Sequence, residues 1–101
     1  MQFGRVQGYV RVAEPQVEGQ LHLTVTLEAG RTVTTVREET LAQLRPVSNP
    51  EDLAWHADQW TQETIGVDLA LEGWEVVGAG PLPEVDAGSP ASSAVYAVRK
   101  L

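Results

Sequence analysis

The side chains most able to do chemistry in this chain are its two histidines, its four serines and a set of helical carboxylates. His22 falls on the solvent side of an alternating segment. His56 falls beside Trp55 on an expected helix, so the two histidines belong to different elements. A metal site needs several converging ligands, commonly histidines one helical turn apart joined by a third group. His56 has only the distant acids Asp52 and Glu63 to join it, and no metal site is expected. Ser48, Ser89, Ser92 and Ser93 lie in connecting segments or at a strand start, and none sits in a Gly-x-Ser-x-Gly elbow. Gly78-Ala79-Gly80 lacks the third glycine and the following helix of a phosphate-binding loop. Asp52, Asp58 and Glu63 share the expected helix. Without a cleft to raise one pKa above another, they read as a solvated face rather than an acid–base pair. No catalytic residue, no cofactor and no enzyme activity are expected on the checklist of nucleophile, base and pocket.

The elements that carry these residues must fit in 101 positions, 43% of them hydrophobic and 21% charged. That is one domain with one core. Seven Lys and Arg against fourteen Asp and Glu set the net charge at −7. The charge is unevenly placed: residues 1–47 balance, and residues 48–101, whose only bases are Arg99 and Lys100, carry all of it. An acidic surface repels phosphate backbones and anionic lipid, so neither nucleic acid nor membrane is an expected partner. No apolar run approaches the roughly 18–20 residues of a membrane span. Met1 is not followed by a basic segment and an apolar core, and cysteine is absent. Neither a secretory leader nor a disulfide framework is expected, and the location expected is cytoplasmic. The abundance of Arg over Lys, with Ala, Val and Gly, fits a bacterial genome of high GC content.

Val6, Gly8, Val10 and Val12 alternate with Arg5, Gln7, Tyr9 and Arg11, the period of a half-buried strand. Glu14 to Gly19 reads as a turn. Leu21, Leu23, Val25 and Leu27 then face inward, while Gln20, His22, Thr24, Thr26 and Glu28 face water. Glu28-Ala29-Gly30 reads as a short hairpin connection in which Gly30 takes a positive φ. Arg31 to Val36 returns as a strand, with a bulge or the strand end between Val33 and Val36, which are out of phase. Glu38 to Leu44 reads as a helical turn because Leu41 and Leu44 share a helical face.

Asn49-Pro50 has the form of an N-cap followed by a first-turn proline, and Glu51 and Asp52 suit the positive end of a helix. Leu53, Ala57, Trp60, Thr64, Val67 and Leu71 recur at spacings of four and three and predict a helix to about Glu72, stopped by Gly73. A competing reading ends the helix near Thr64 and makes a strand of Ile65, Val67, Leu69 and Leu71. Trp74 to Val77 reads as a strand, Gly78 to Ser92 as a long loop, and Ala94 to Leu101 as a closing strand. The order β-β-β-α-β-β predicts an α+β fold, with a small antiparallel sheet of four or five strands and one long helix on one face.

Glu72-Gly73-Trp74-Glu75-Val76-Val77, followed after a loop by Val95-Tyr96-Ala97-Val98-Arg99-Lys100, resembles the closing segments of the DUF4177 family of small bacterial proteins. The resemblance covers about the last third of the chain and implies a fold rather than a reaction. Members are shorter and carry one strand before the helix, whereas this chain has an added hairpin. On the residues alone, Gly73 is a left-handed helix stop, Trp74 a core anchor turning back over the helix end, and Glu75 a solvent-facing side chain.

Two function classes follow. The first is a non-enzymatic protein-interaction or accessory domain that forms a homodimer through a sheet edge or the outer sheet face. Tyr9, Arg5 and Arg11 lie on that face. Trp55, roughly 140° from the apolar stripe, is a further candidate anchor. The second is a small-ligand-binding domain with a pocket between helix and sheet lined by Trp60, Trp74 and Tyr96.

Overall fold

The computed structural model describes residues 1–13, 20–43, 50–79 and 91–101. Five antiparallel strands form one sheet: β1 (Gln2–Val12), β2 (Gln20–Ala29), β3 (Thr32–Ala42), β4 (Trp74–Ala79) and β5 (Ala91–Lys100). Their spatial order is β3-β2-β1-β5-β4, so the first and last strands pair at the centre and β3 and β4 are the edges among the described residues. The helix α1 (Pro50–Thr64) packs on one face, mainly over β1 and β5. This is the expected α+β fold in the expected order.

Alternation decides which side chains enter the core. Val6 and Val10 of β1 and Leu21, Leu23 and Val25 of β2 are fully buried on the helix side, with Val98 of β5 and Leu53 and Ala57 of α1. Gly8 is the point of closest approach between layers. A Cβ there would overlap Thr61 Oγ1 and lie 3.0 Å from Thr61 Cβ, so the glycine lets the helix settle onto β1. The β2–β3 hairpin turns through Gly30-Arg31, with Ala29 opposite Thr32 and Gly30 at φ 63°. The positive φ is the one expected there, but Glu28 and Ala29 belong to β2 and Arg31 to the turn, so the connection is Gly30-Arg31 and not Glu28-Ala29-Gly30.

The sequence reading is corrected in three further places. Glu38 to Ala42 belongs to β3 and is not a helical turn. Leu41 stands opposite Leu21 and Glu39 opposite Leu23, and pairing along the whole of β2 overrides the local helical spacing. Leu44 lies outside the described residues, as do Asn49 and the turn from Glu14 to Gly19. The anticipated irregularity is a bulge at Val36, where the register shifts between Val25 and Thr26. The predicted loop is shorter at both ends, because Gly78 and Ala79 belong to β4 and Ala91 and Ser92 to β5. Its remaining residues, 80–90, lie outside the described residues.

The third correction concerns the end of the helix. The chain stays helical to Glu72, so the strand alternative is excluded, but Ile65–Leu69 winds as a π-helix and Ala70–Glu72 as a 3-10 turn. Thr61 Oγ1 donates to the Ala57 carbonyl at 2.6 Å and Thr64 Oγ1 to the Trp60 carbonyl at 2.8 Å. Threonine back-bonding of this kind loosens and bends helices. Wider winding then shifts the buried face: Thr61, Ile65 and Leu69 are buried at intervals of four. Val67 and Leu71, expected in the apolar stripe, are 57% and 87% exposed. Gly73, at φ 92°, ends the helix in the left-handed conformation, its N–H donating to the Ala70 carbonyl at 3.0 Å. Trp74 then turns into the core as expected, only 6% exposed.

Candidate functional site

The candidate residues divide between two opposite sides of the molecule. Arg5, Tyr9 and Arg11 of β1 lie on the sheet face away from α1, with Phe3 at its end. No described helix or strand packs against that face. Arg5 pairs with Glu28 across the β1–β2 register at 3.1 Å, an exposed ion pair worth little in free energy. Arg11 Nη1 donates to the carbonyls of Val12 and Ala13 at 3.5 and 3.3 Å. Tyr9 is about one third exposed.

Trp55 lies on the helix, 60% exposed, its ring edge-on to His56, which in turn stands edge-on to Trp60. A single flat partner surface cannot touch both Trp55 and Tyr9, so the structure does not bring the candidate anchors together. His56 Nδ1 donates to the Asp52 carbonyl at 2.7 Å, and Nε2 lies 3.2 Å from Gln43 Oε1 at the end of β3. His22 bonds Thr40 across the β2–β3 ladder, Nδ1 to Oγ1 at 3.3 Å. Both histidines therefore serve contacts between elements. Among the described residues no three His, Asp or Glu side chains gather closely enough to hold a metal ion.

The three aromatics of the ligand-pocket reading are spread through the helix–sheet layer. Trp74 is core, and Trp60 packs half-buried against the core edge. Tyr96 bridges the layers: its hydroxyl donates to Asp58 Oδ1, while Gln62 Nε2 donates to the Tyr96 oxygen at 2.8 Å and to Asp58 Oδ2 at 2.9 Å. Two open clefts among the described residues are lined by other side chains. One, of about 460 Å³, lies between β3 and the helical tail, and the other lies beside Phe3 and Gly30.

Partial burial, and then the bond to Asp58, raise the Tyr96 pKa above its ordinary value near 10. The neutral phenol is therefore favoured more in the folded state than in the unfolded one. This contribution is complete below pH 10 and is lost as pH rises through the folded pKa. Tyr96→Phe is expected to lower stability at pH 8 by about 1 kcal/mol, the usual worth of such a hydrogen bond. It should also flatten the fall in stability above pH 10. Melting curves of both proteins from pH 8 to 11 check this, and parallel pH profiles would contradict it.

The sheet edges were not resolved into candidates by sequence reasoning, and they differ in character. On β3, Arg37 reaches back toward the helix. It pairs with Glu39 beside it, lies 3.6 Å from Glu63 and donates to Thr64 Oγ1 at 3.4 Å. On β4, the one charged side chain, Glu75, is paired with Arg99 of β5. The neighbouring Val76 and Val77 are each 46% exposed. A bulge between Val76 and Gly78 leaves Val77 without a register partner on β5. The signal available in sequence was Trp74-Glu75-Val76-Val77 itself, a short strand with aliphatic residues at adjacent rather than alternate positions. Comparison with protein-family models, with curated proteins and with solved structures returned no match.

Proposed function

We infer that this protein is a non-enzymatic interaction domain that associates with a second copy of itself along the free edge of β4. The observation that carries this reading is the pair Val76 and Val77, half-exposed on an edge strand whose charge is neutralised within the chain. An uncovered edge strand offers a row of unpaired main-chain groups to another strand. Two-fold antiparallel pairing of β4 centred on Val76 sets Glu75 opposite Val77 of the second copy. Centred on Val77, it sets Glu75 opposite Ala79. Neither register places like charges face to face. Pairing of β3 with itself centred on Arg37, Glu38 or Glu39 sets that charge opposite its own copy, which is destabilising. Residues 37–39 of β3 are thereby guarded against self-pairing, and β4 carries no such guard at Val76 and Val77.

Sedimentation velocity over a micromolar-to-millimolar series tests this. The native chain is expected to shift from monomer to dimer with concentration. Val77→Lys puts a charge on the edge and should hold the protein monomeric, with its melting temperature nearly unchanged. Thr35→Lys on β3 should leave the dimer intact. A native chain monomeric throughout, or a Val77→Lys dimer, contradicts the reading.

A further inference from the structure

The other edge of the sheet carries a groove of a different kind. The 460 Å³ cleft runs between β3 and the helical tail of residues 65–72. Its floor is apolar, formed by Leu27 and Leu69, which are 8% and 1% exposed. One wall is Thr34, Thr35 and the bulged Val36, the edge strand itself, whose outer side pairs with no described strand. The opposite wall presents Asp68 and Glu72, both exposed and one turn apart. The nearest cation on β3, Arg37, is already held by Glu39 and Glu63. The helical wall of the cleft is drawn from the π-helical turn and the 3-10 turn that follows it. The same winding leaves Val67 and Leu71 in solvent beside it.

An edge strand facing a helical wall across an apolar floor is suited to an extended peptide. The peptide's alternate side chains drop toward the floor, while its main chain runs along the helix-facing side of β3 past Thr34 and Thr35. Charge settles the chemistry of the occupant. The groove has carboxylates on one wall, hydroxyls on the other and no free cation among its lining residues. Its helical wall belongs to residues 48–101, which carry the whole net charge of −7, and its β3 wall to the charge-balanced residues 1–47. We propose that the groove between β3 and the helical tail binds an extended basic segment of a partner protein. Aliphatic side chains of that segment rest on Leu27 and Leu69, and its Lys or Arg side chains pair with Asp68 and Glu72. Its β3 wall is at the opposite edge from β4, and although the helical tail packs beside β4, none of the lining residues belongs to β4, so the proposal stands whether or not β4 pairs.

The test uses the full chain and a fluorescein-labelled ten-residue peptide alternating valine and lysine, with a valine–glutamate peptide of equal length as control. Anisotropy is expected to show saturable binding of the lysine peptide that weakens as salt is added. Asp68→Asn with Glu72→Gln should weaken it about three- to tenfold, the range of two exposed ion pairs. The double variant's melting temperature and sedimentation should match the native chain, separating this outcome from misfolding and from loss of the β4 contact. In ¹⁵N spectra the shifted amides should be those of 34–36 and 68–72. Equal binding of both peptides, no saturable binding, or shifts confined to β4 or the far sheet face would overturn the proposal.

Discussion

Gly8→Ala is expected to destabilise the fold by about 3 kcal/mol, the upper part of the usual range for overpacking a core. For a domain of this size that lowers the melting temperature by roughly 10–20 °C. The cause is local. The new methyl would occupy the position of Thr61 Oγ1, and that hydroxyl is fixed by its bond to the Ala57 carbonyl. Neither partner can swing aside, because Thr61 is fully buried and Gly8 lies in the central strand. Thr61→Ala removes the hydroxyl but leaves Cβ, which still stands 3.0 Å from the added methyl. Gly8→Ala should therefore cost at least about 1 kcal/mol less in a Thr61→Ala background than in the native one, the coupling seen between residues in contact. Chemical denaturation of the four proteins measures it. Additive costs would show that the helix does not rest on Gly8.

The second large effect separates the tryptophans. Trp74→Ala should cost about 3–5 kcal/mol, as truncation of a buried aromatic does. Its ring fills the space above Gly4, where an added Cβ would come within 3.3 Å of it, and closes the core beside the helix stop. Trp55→Ala, at a site 60% exposed, should change stability by no more than about 0.5 kcal/mol. The exposed indole is also remote from β4, so the variant should dimerise as the native chain does. Loss of the dimer in Trp55→Ala would move the interface to the helix.

The strands of the N-terminal half were legible because alternation is a direct consequence of the pleat. Val6, Val10, Leu21, Leu23, Val25 and Leu27 are buried as their positions require. The helix limits were legible at Gly73, where only a left-handed residue ends the turn. The helical phase beyond Thr64 was not. It depends on threonine hydroxyls competing for main-chain carbonyls, and nothing in the apolar spacing records that competition. Glu38 to Ala42 was misread because Leu41 and Leu44 fit a helix locally, while the partner that decides, Leu21, is 20 residues away.

The candidate surfaces were legible only as residue types. Tyr9, Arg5 and Arg11 face out together as their alternation implies, yet Trp55 is on the other side of the molecule. The strand order that makes β3 and β4 the edges arises from pairing of the first strand with the last, which no local pattern expresses. Arg37 illustrates the same limit: its partner Glu63 stands 26 positions further along the chain. Gly8 did leave a trace, since glycine within a strand marks close backbone approach.

Pairing of two copies along the edge of β4, proposed above, would change the main chain's exposure there. Amide hydrogen exchange followed at low and high protein concentration tests it most directly. Main-chain groups that gain a strand partner gain protection. Protection is expected to rise with concentration at residues 75–79 and to stay constant along β3 and at Trp55. Protection that is independent of concentration at 75–79, or that rises along β3 instead, would contradict it.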